Sequence, residues 1–296
     1  MSALVVSVAR WLLPWEFSPT AFTVCTLSLA LYLRGIAGLG RLGAAPGAWR
    51  QIAFFTGLAL GYAALQTHFD YLSQHMFWVH RLQHLVLHHL APILLVLAAP
   101  GRALSFGLPR GLRERVLEPL ARQSVVRWPL RMLQNPLVAT LLFIGLIYYW
   151  LTPSVHFAAM LDVRRYLLMN WSMAVDGLLF WWLMLTPRAA QGPLAVGYGT
   201  RIFILCLSAL LQILLGAYIT LHTSVLFDVY GLCGRAWAVS APVDQQLGGL
   251  LTWIPPAMMA GAGVLIVLRY ALRDSEPARA RPIAPIDYSL DATAHR

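Results

Sequence analysis

The chain alternates between long apolar runs and short polar breaks, and inside the runs there is no strand-like alternation of apolar and polar residues. Seven runs read as membrane helices: 20–40, 50–67, 76–99, 136–153, 165–186, 201–222 and 247–270. A helix needs about 20 residues to cross the hydrocarbon core. Only helices and closed barrels satisfy their backbone hydrogen bonds in lipid, and continuous apolarity argues against a barrel. The pattern therefore predicts an all-α, polytopic membrane protein, a seven-transmembrane helix bundle over residues 1–273. A cytoplasmic interfacial loop is expected at 101–135, and a disordered cytoplasmic tail at 274–296.

Charge sets the direction of the spans. The 22 basic residues are all Arg, and they sit mainly between apolar runs. The loop 101–135 holds Arg102, Arg110, Arg113, Arg115, Arg122, Arg127 and Arg131 against Glu114 and Glu118, and the tail adds Arg269, Arg273, Arg279 and Arg281. Arg41 and Arg50 flank the first loop, and Arg188 and Arg201 the fifth. Arg-rich loops stay in the cytoplasm, so loops 68–75, 154–164 and 223–246 and the N-terminus are expected outside, and the C-terminus inside. Arg164 and Arg165 run against the rule without reversing the balance. The net charge of +10 is thus a topology signal, not a nucleic-acid footprint. The loop 101–135 is expected to lie as an amphipathic helix on anionic lipid or to be a solvated linker helix. The N-terminus has no basic n-region or clear cleavage site and reads as an uncleaved interfacial segment with Trp11 and Trp15 at the headgroups.

Composition agrees with a membrane protein: 59% of residues are hydrophobic and 11% charged, where a soluble domain has about a quarter charged. Cys25, Cys206 and Cys233 form no CxxC pair, so no disulfide framework is expected. No nucleophile elbow, P-loop, dinucleotide fingerprint or HExxH motif occurs, and no enzymatic role is expected.

Candidate chemistry lies in the third run. "HMFWVHRLQHLVLHHLAP", His75 to Pro92, carries five of the nine histidines in an otherwise apolar helix. On an ideal helix His80, His84 and His88 stay within about 80° of one another and rise about 12 Å, with Gln83 beside them, while His89 points about 180° from His80. An i, i+4 imidazole pair can hold one metal, and imidazole suits copper, zinc, iron or nickel. With the predicted topology, His68, His75, His156 and His222 share the outer side with His80 and His84. Asp70, Asp176, Asp228 and Asp244 belong to the outer or mid-membrane layer, and Asp176 needs a partner because a charge in the bilayer is costly. Met76, Met160, Met169 and Met173 offer thioethers or simply fill the core. A lone membrane histidine, such as His89 or His156, is most simply a packing or hydrogen-bonding residue.

The chain resembles the CtaG family, multi-span assembly factors of caa-type cytochrome c oxidase in bacteria. The resemblance rests on "WEFSP" near the start, "HRLQHLVLHHLAPILLVLAAP", "GLLFWW" and "DQQLGGLLTW", in order along nearly the whole chain. It carries over His80, Gln83, His84, Asp244 and Gln245 as motif positions. His68, His88 and His222 do not match the family pattern and rest on geometry alone. The resemblance implies a role in maturing the oxidase in the bacterial inner membrane, with copper delivered transiently to the CuB centre of the catalytic subunit from the periplasmic side; the thioethers near the histidines point to Cu(I). A periplasmic copper donor would be a further partner. The competing readings are a metal-free assembly scaffold, a cytochrome with haem between His84 and His222, and a metal or proton transporter using Asp176 and the histidine face.

Overall fold

The computed structural model describes residues 14, 16–187 and 195–279. Among them the fold is helical. Helix α1 is Pro19–Arg41, α2 Ala48–Gln66 and α3 the short His68–His75. Helix α4, Phe77–Leu85, continues through a π-helical turn, Val86–Leu90, into α5, Ala91–Ala98, and the three make one rod. Helix α6 is Gly101–Gly107. Short helical pieces cover Arg110–Arg122, and α7 is Ser124–Leu133. Then come α8 (Pro136–Trp150), α9 (Pro153–Met160), α10 (Val163–Leu185), α11 (Tyr198–Leu221), α12 (Val229–Leu232) and α13 (Ala241–Arg279).

Helix starts follow local chemistry. Ser18 caps α1 ahead of Pro19, Asn135 caps α8 ahead of Pro136, and Asp162 accepts from the Arg164 and Arg165 amides at the start of α10. Proline suits the first helical turn because its missing N–H would have no partner there. The Asp162 carboxyl is held below its usual range by those backbone amides, chiefly that of Arg165. Helix α4 is different. Its N-cap Met76 has no capping side chain, and the Asp244 carboxylate of α13 accepts instead from Phe77 N (3.1 Å) and Trp78 N (2.9 Å).

Among the described residues five helical rods are long and apolar enough to cross a membrane: Pro19–Arg41, Phe77–Ala98, Val163–Leu185, Tyr198–Leu221 and a 35-residue stretch of α13, Ala241–Ser275. The α7–α8 pair, bent by 66°, raises this to six if it counts as one span. Two of the seven expected spans are therefore not met on the same terms. Helix α2 forms where expected, but Arg50, Gln51 and Gln66 at its ends dilute its apolarity. Helix α8 ends at Trp150 after 15 residues. Helix α13 runs on to Arg279, past the expected boundary at 273, and residues 280–296 lie outside the described residues, as do Trp11, Trp15 and Arg188.

The rod α4–α5 is the axis of the bundle. It packs on α2, α10 and α13, and α11 lies along α13. The ends of the bundle differ. One carries α3, α9, α12 and the 222–240 loop; the other carries the Arg-rich pieces and α7. The 222–240 loop folds inward: Phe227 stacks on Phe77 at 4.1 Å, and Tyr230 is fully buried. By contrast, no residue of Arg110–Leu133 is buried, and Val125, Trp128 and Leu130 are exposed beside the arginines.

Candidate functional site

The π turn in the central rod has a visible cause. Pro92 has no N–H to give to the carbonyl four residues earlier, that of His88. The Trp181 indole of α10 donates to that carbonyl instead, at 3.2 Å. The two backbones can approach this closely because residue 177 is Gly. A Cβ there would lie 2.4 Å from the His88 oxygen and 2.8 Å from its Cα. A π turn inserts one extra residue and so rotates the helix beyond it about its axis. His89 therefore does not face away from the cluster as an ideal helix predicts. Its ring lies 5.0 Å from that of His88 and packs on Phe143 and Trp181.

His80, His84, His88 and His89 are all buried to within 3% exposure. The His80 and His84 rings are 4.4 Å apart, and His156, from the short helix α9, stands edge-on to His80 at 5.0 Å. The nitrogens fall into two classes. His156 uses both: Nδ1–H donates to Trp150 O at 3.1 Å, and Nε2 accepts from the Tyr230 hydroxyl at 2.9 Å. Burial pushes its pKa down to about 3; the bond to Trp150 opposes this, and the Arg81 charge adds to it. Its lone pair is thus committed to the protein.

His84 is held at one end only. Nε2–H donates to Asn170 Oδ1 at 3.2 Å, which leaves Nδ1 as an unpartnered acceptor. His88 repeats the arrangement with Asp176 at 3.0 Å, again with Nδ1 unpartnered. Neither nitrogen of His80 or His89 has a hydrogen-bond partner of ordinary geometry among the described residues, although the Ser73 backbone approaches His80 and the Gln212 amide approaches His89. An orphaned buried polar atom costs about 1–3 kcal/mol. An imidazole fixed through one nitrogen with the other left open is how metal-ligating histidines are oriented. His84 shows that arrangement, and with the unbonded His80 ring 4.4 Å away the pair fits a soft or borderline cation taken by imidazole. Among the described residues no three His, Cys, Asp or Glu side chains converge as a metal-ligating group. That argues against a closed structural site, which takes four ligands, and is compatible with a low-coordinate, exchangeable one.

A carboxylate network flanks the pair. Asp70 Oδ1 accepts from Gln83 Nε2 and from the Tyr166 hydroxyl, both at 2.7 Å, and Oδ2 accepts from Gln74 at 3.0 Å. Burial raises the Asp70 pKa, and the hydrogen bonds from Tyr166, Gln83 and Gln74 oppose that. On the other side of His84 a cavity of about 10 Å³, room for about one water, is lined by Arg81, His84, His88, His89, Gln212 and Thr252. Arg81 is buried, donates to Thr252 Oγ1 at 3.0 Å and forms no ion pair among the described residues.

The remaining expected residues take other roles. Besides capping α4, Asp244 pairs with Arg235. Gln245 Oε1 accepts from Leu226 N at 2.7 Å, and its amide donates to Ser224 O at 3.0 Å, which closes the end of α11. "DQQLGG" is thus a junction of α4, α11 and α13. His222 bonds to Ser224 within its own turn and packs on Tyr218, and His68 stacks on Tyr71. Neither His222 nor His68 is in the wall of the cavity that reaches His84. Among the expected residues, then, the structure joins His80 with His84, Gln83 with Asp70, and His88 with Asp176. Sequence reasoning missed Tyr166, Asn170, Tyr230 and Arg81, whereas His156 is the hydrogen-bonding residue that was one of its two expected roles. The spacing of Tyr166, Asn170, Met173 and Gly177 along one face of α10 was a signal for two of them.

A family profile described as cytochrome c oxidase caa3 assembly factor (Caa3_CtaG) matches residues 30–274. Uncharacterised proteins of Mycobacterium bovis and Mycobacterium tuberculosis are each 29% identical over 96% of this chain and 44% of their own length. One from Mycobacterium leprae is 28% identical over 83% of this chain and 38% of its own. The chain thus spans less than half the length of these curated relatives. No solved structure matches.

Proposed function

The chain belongs to the cytochrome c oxidase caa3 assembly-factor family, and from that premise we propose that it hands copper, as Cu(I), to the CuB centre of the oxidase catalytic subunit. The observation that carries this reading is the His80–His84 pair. Two buried imidazoles stand 4.4 Å apart, three of their four nitrogens have no hydrogen-bond partner of ordinary geometry among the described residues, and the fourth is fixed by Asn170. Few ligands give modest affinity, which a delivery site needs. Binding requires neutral imidazole.

In this reading the protein is a non-catalytic, seven-span bundle of the bacterial inner membrane. The α3, α9 and α12 end faces the periplasm, where a copper donor would meet it, and the Arg-rich α7 end faces the cytoplasm against anionic lipid. Helices α2 and α8 complete the seven spans. Asp244 and Gln245 hold the helix ends that frame the histidines and touch no cargo. The competing reading is a scaffold that binds the oxidase subunit without metal.

The test is a Cu(I) titration of the purified protein against a chromophoric chelator, with the visible spectrum recorded. Stoichiometric binding lost in the His80→Ala, His84→Ala double variant, with no haem band, is the expected result. Equal binding by both proteins, or by neither, would leave the scaffold.

A further inference from the structure

A cleft of about 220 Å³ opens at the α3–α9–α12 end, between the segment entering α1, the α3 helix and the start of α10. Its rim is exposed: Phe17 is 57% exposed, Leu161 58% and Leu167 40%. Its floor is buried and polar, formed by Asp70, Tyr166 and Asn170. The polar wall offers oxygens from Glu16, Asp70, Gln74 and Asn170, and Met160 adds a thioether. Among the described residues no arginine is in the wall, although Arg164 and Arg165 adjoin it in sequence. A recess whose described lining has two carboxylates and no cation attracts positive ions.

The floor leads to one place. Asn170 lines the cleft, and its Oδ1 is the atom that holds His84 Nε2. The other approaches to the imidazole pair are unsuited to a cation. The small cavity beyond His84 carries the Arg81 guanidinium in its wall. The His156 side is closed by the bonds to Trp150 and Tyr230.

We infer that this cleft is the port through which Cu(I) reaches and leaves the His80–His84 pair, with the Asn170 side chain as its door. The inference rests on the copper reading above and adds the route. In the closed state Asn170 Oδ1 accepts from His84; rotation of its amide opens the floor between Asp70 and the imidazoles. Met160 and the floor oxygens are transfer ligands, weaker than imidazole, so the ion does not stop there.

The experiment uses the full chain in detergent with Cys25, Cys206 and Cys233 replaced by Ser. Leu167→Cys at the rim is blocked with a small or a bulky thiol reagent. Leu210→Cys, 53% exposed on α11, serves as the control. Transfer of Cu(I) to and from a chromophoric chelator is followed in time, and the equilibrium affinity is measured separately. The bulky adduct at 167 is expected to slow loading and release together by about tenfold or more, with affinity nearly unchanged, because a blocked path alters both rates alike. The small adduct should do less, and the control nothing. Asn170→Ala is expected to speed exchange. If copper still binds through His80 and His84 but the bulky adduct leaves both rates as they were, the port is wrong and the copper reading stands. If the wild type binds no copper, both fall.

Discussion

At the scale of single residues, Asp244 is a side chain whose role is architectural. One buried carboxylate caps the first two amides of α4 and pairs with Arg235. Losing a cap costs about 0.5–2 kcal/mol, and a cation left without its partner adds to that. Asp244→Ala should therefore lower the thermal midpoint in detergent by several degrees, and Asp244→Asn by less, since an amide oxygen still accepts. A midpoint unchanged in both would mean that water or another group caps α4. His84 is built differently. It is oriented by a single amide and keeps an open nitrogen, whereas Asp244 has no free capacity of that kind. The first pattern belongs to binding and the second to architecture, although both residues sit in motifs.

At the scale of elements, the central rod is shaped by Pro92 and by the approach of α10. The proline removes a bond, Trp181 replaces it, and Gly177 makes room. Gly177→Ala puts a methyl into the His88 backbone, which cannot move aside as a flexible side chain could. The cost expected is about 1–3 kcal/mol. It should appear as a lower thermal midpoint together with weaker Cu(I) binding, because α10 also carries Asn170. Gly261→Ala on α13, where a Cβ would meet nothing within 4 Å, is the matched control and should be silent. Equal behaviour of the two variants would show that α10 has slack at this crossing.

At the scale of the whole molecule, the construction of the two ends gives two measurable properties. The first is acid sensitivity. His156 ties α9 to Trp150 and to Tyr230 in α12, and its pKa falls from 6.5 to about 3 on folding. Between those values the unfolded chain binds a proton that the native protein refuses, so stability falls as pH drops from about 6.5 toward 3 and is unaffected by this group above 7. Thermal midpoints taken from pH 7.5 to 5 should decline in the wild type and decline less in His156→Gln. Parallel curves would move the acid sensitivity elsewhere. The second is orientation. Cys233 is exposed in the loop after α12, so a membrane-impermeant maleimide should label it in intact spheroplasts, while an epitope at the C-terminus stays protected. Labelling only after lysis would invert the proposed topology.

How much of this was legible in the sequence depends on the range of the forces involved. The spans α1, α10, α11 and α13, and the rod α4–α5, were readable because lipid demands about 20 apolar residues in a row, a purely local requirement. The density of histidine between His75 and Pro92, and the need of Asp176 for a partner, were readable for the same reason: polar groups in an apolar run are costly wherever the chain goes. Which histidine is free and which is committed was not readable. His156 is far from His80 along the chain, and it meets that ring only because α9 folds back over α4. The turning of His89 toward His88 required the π turn, which Pro92 prompts and which Trp181 and Gly177 of another helix accommodate. Asp244 looked like a member of the polar layer and proved to be a helix cap 167 residues from the amide it serves. The sequence by itself determined the solvent, the helices and the stock of imidazole. The tertiary structure alone decided which nitrogens have partners, because a hydrogen bond is settled by ångströms between helices and not by position along one.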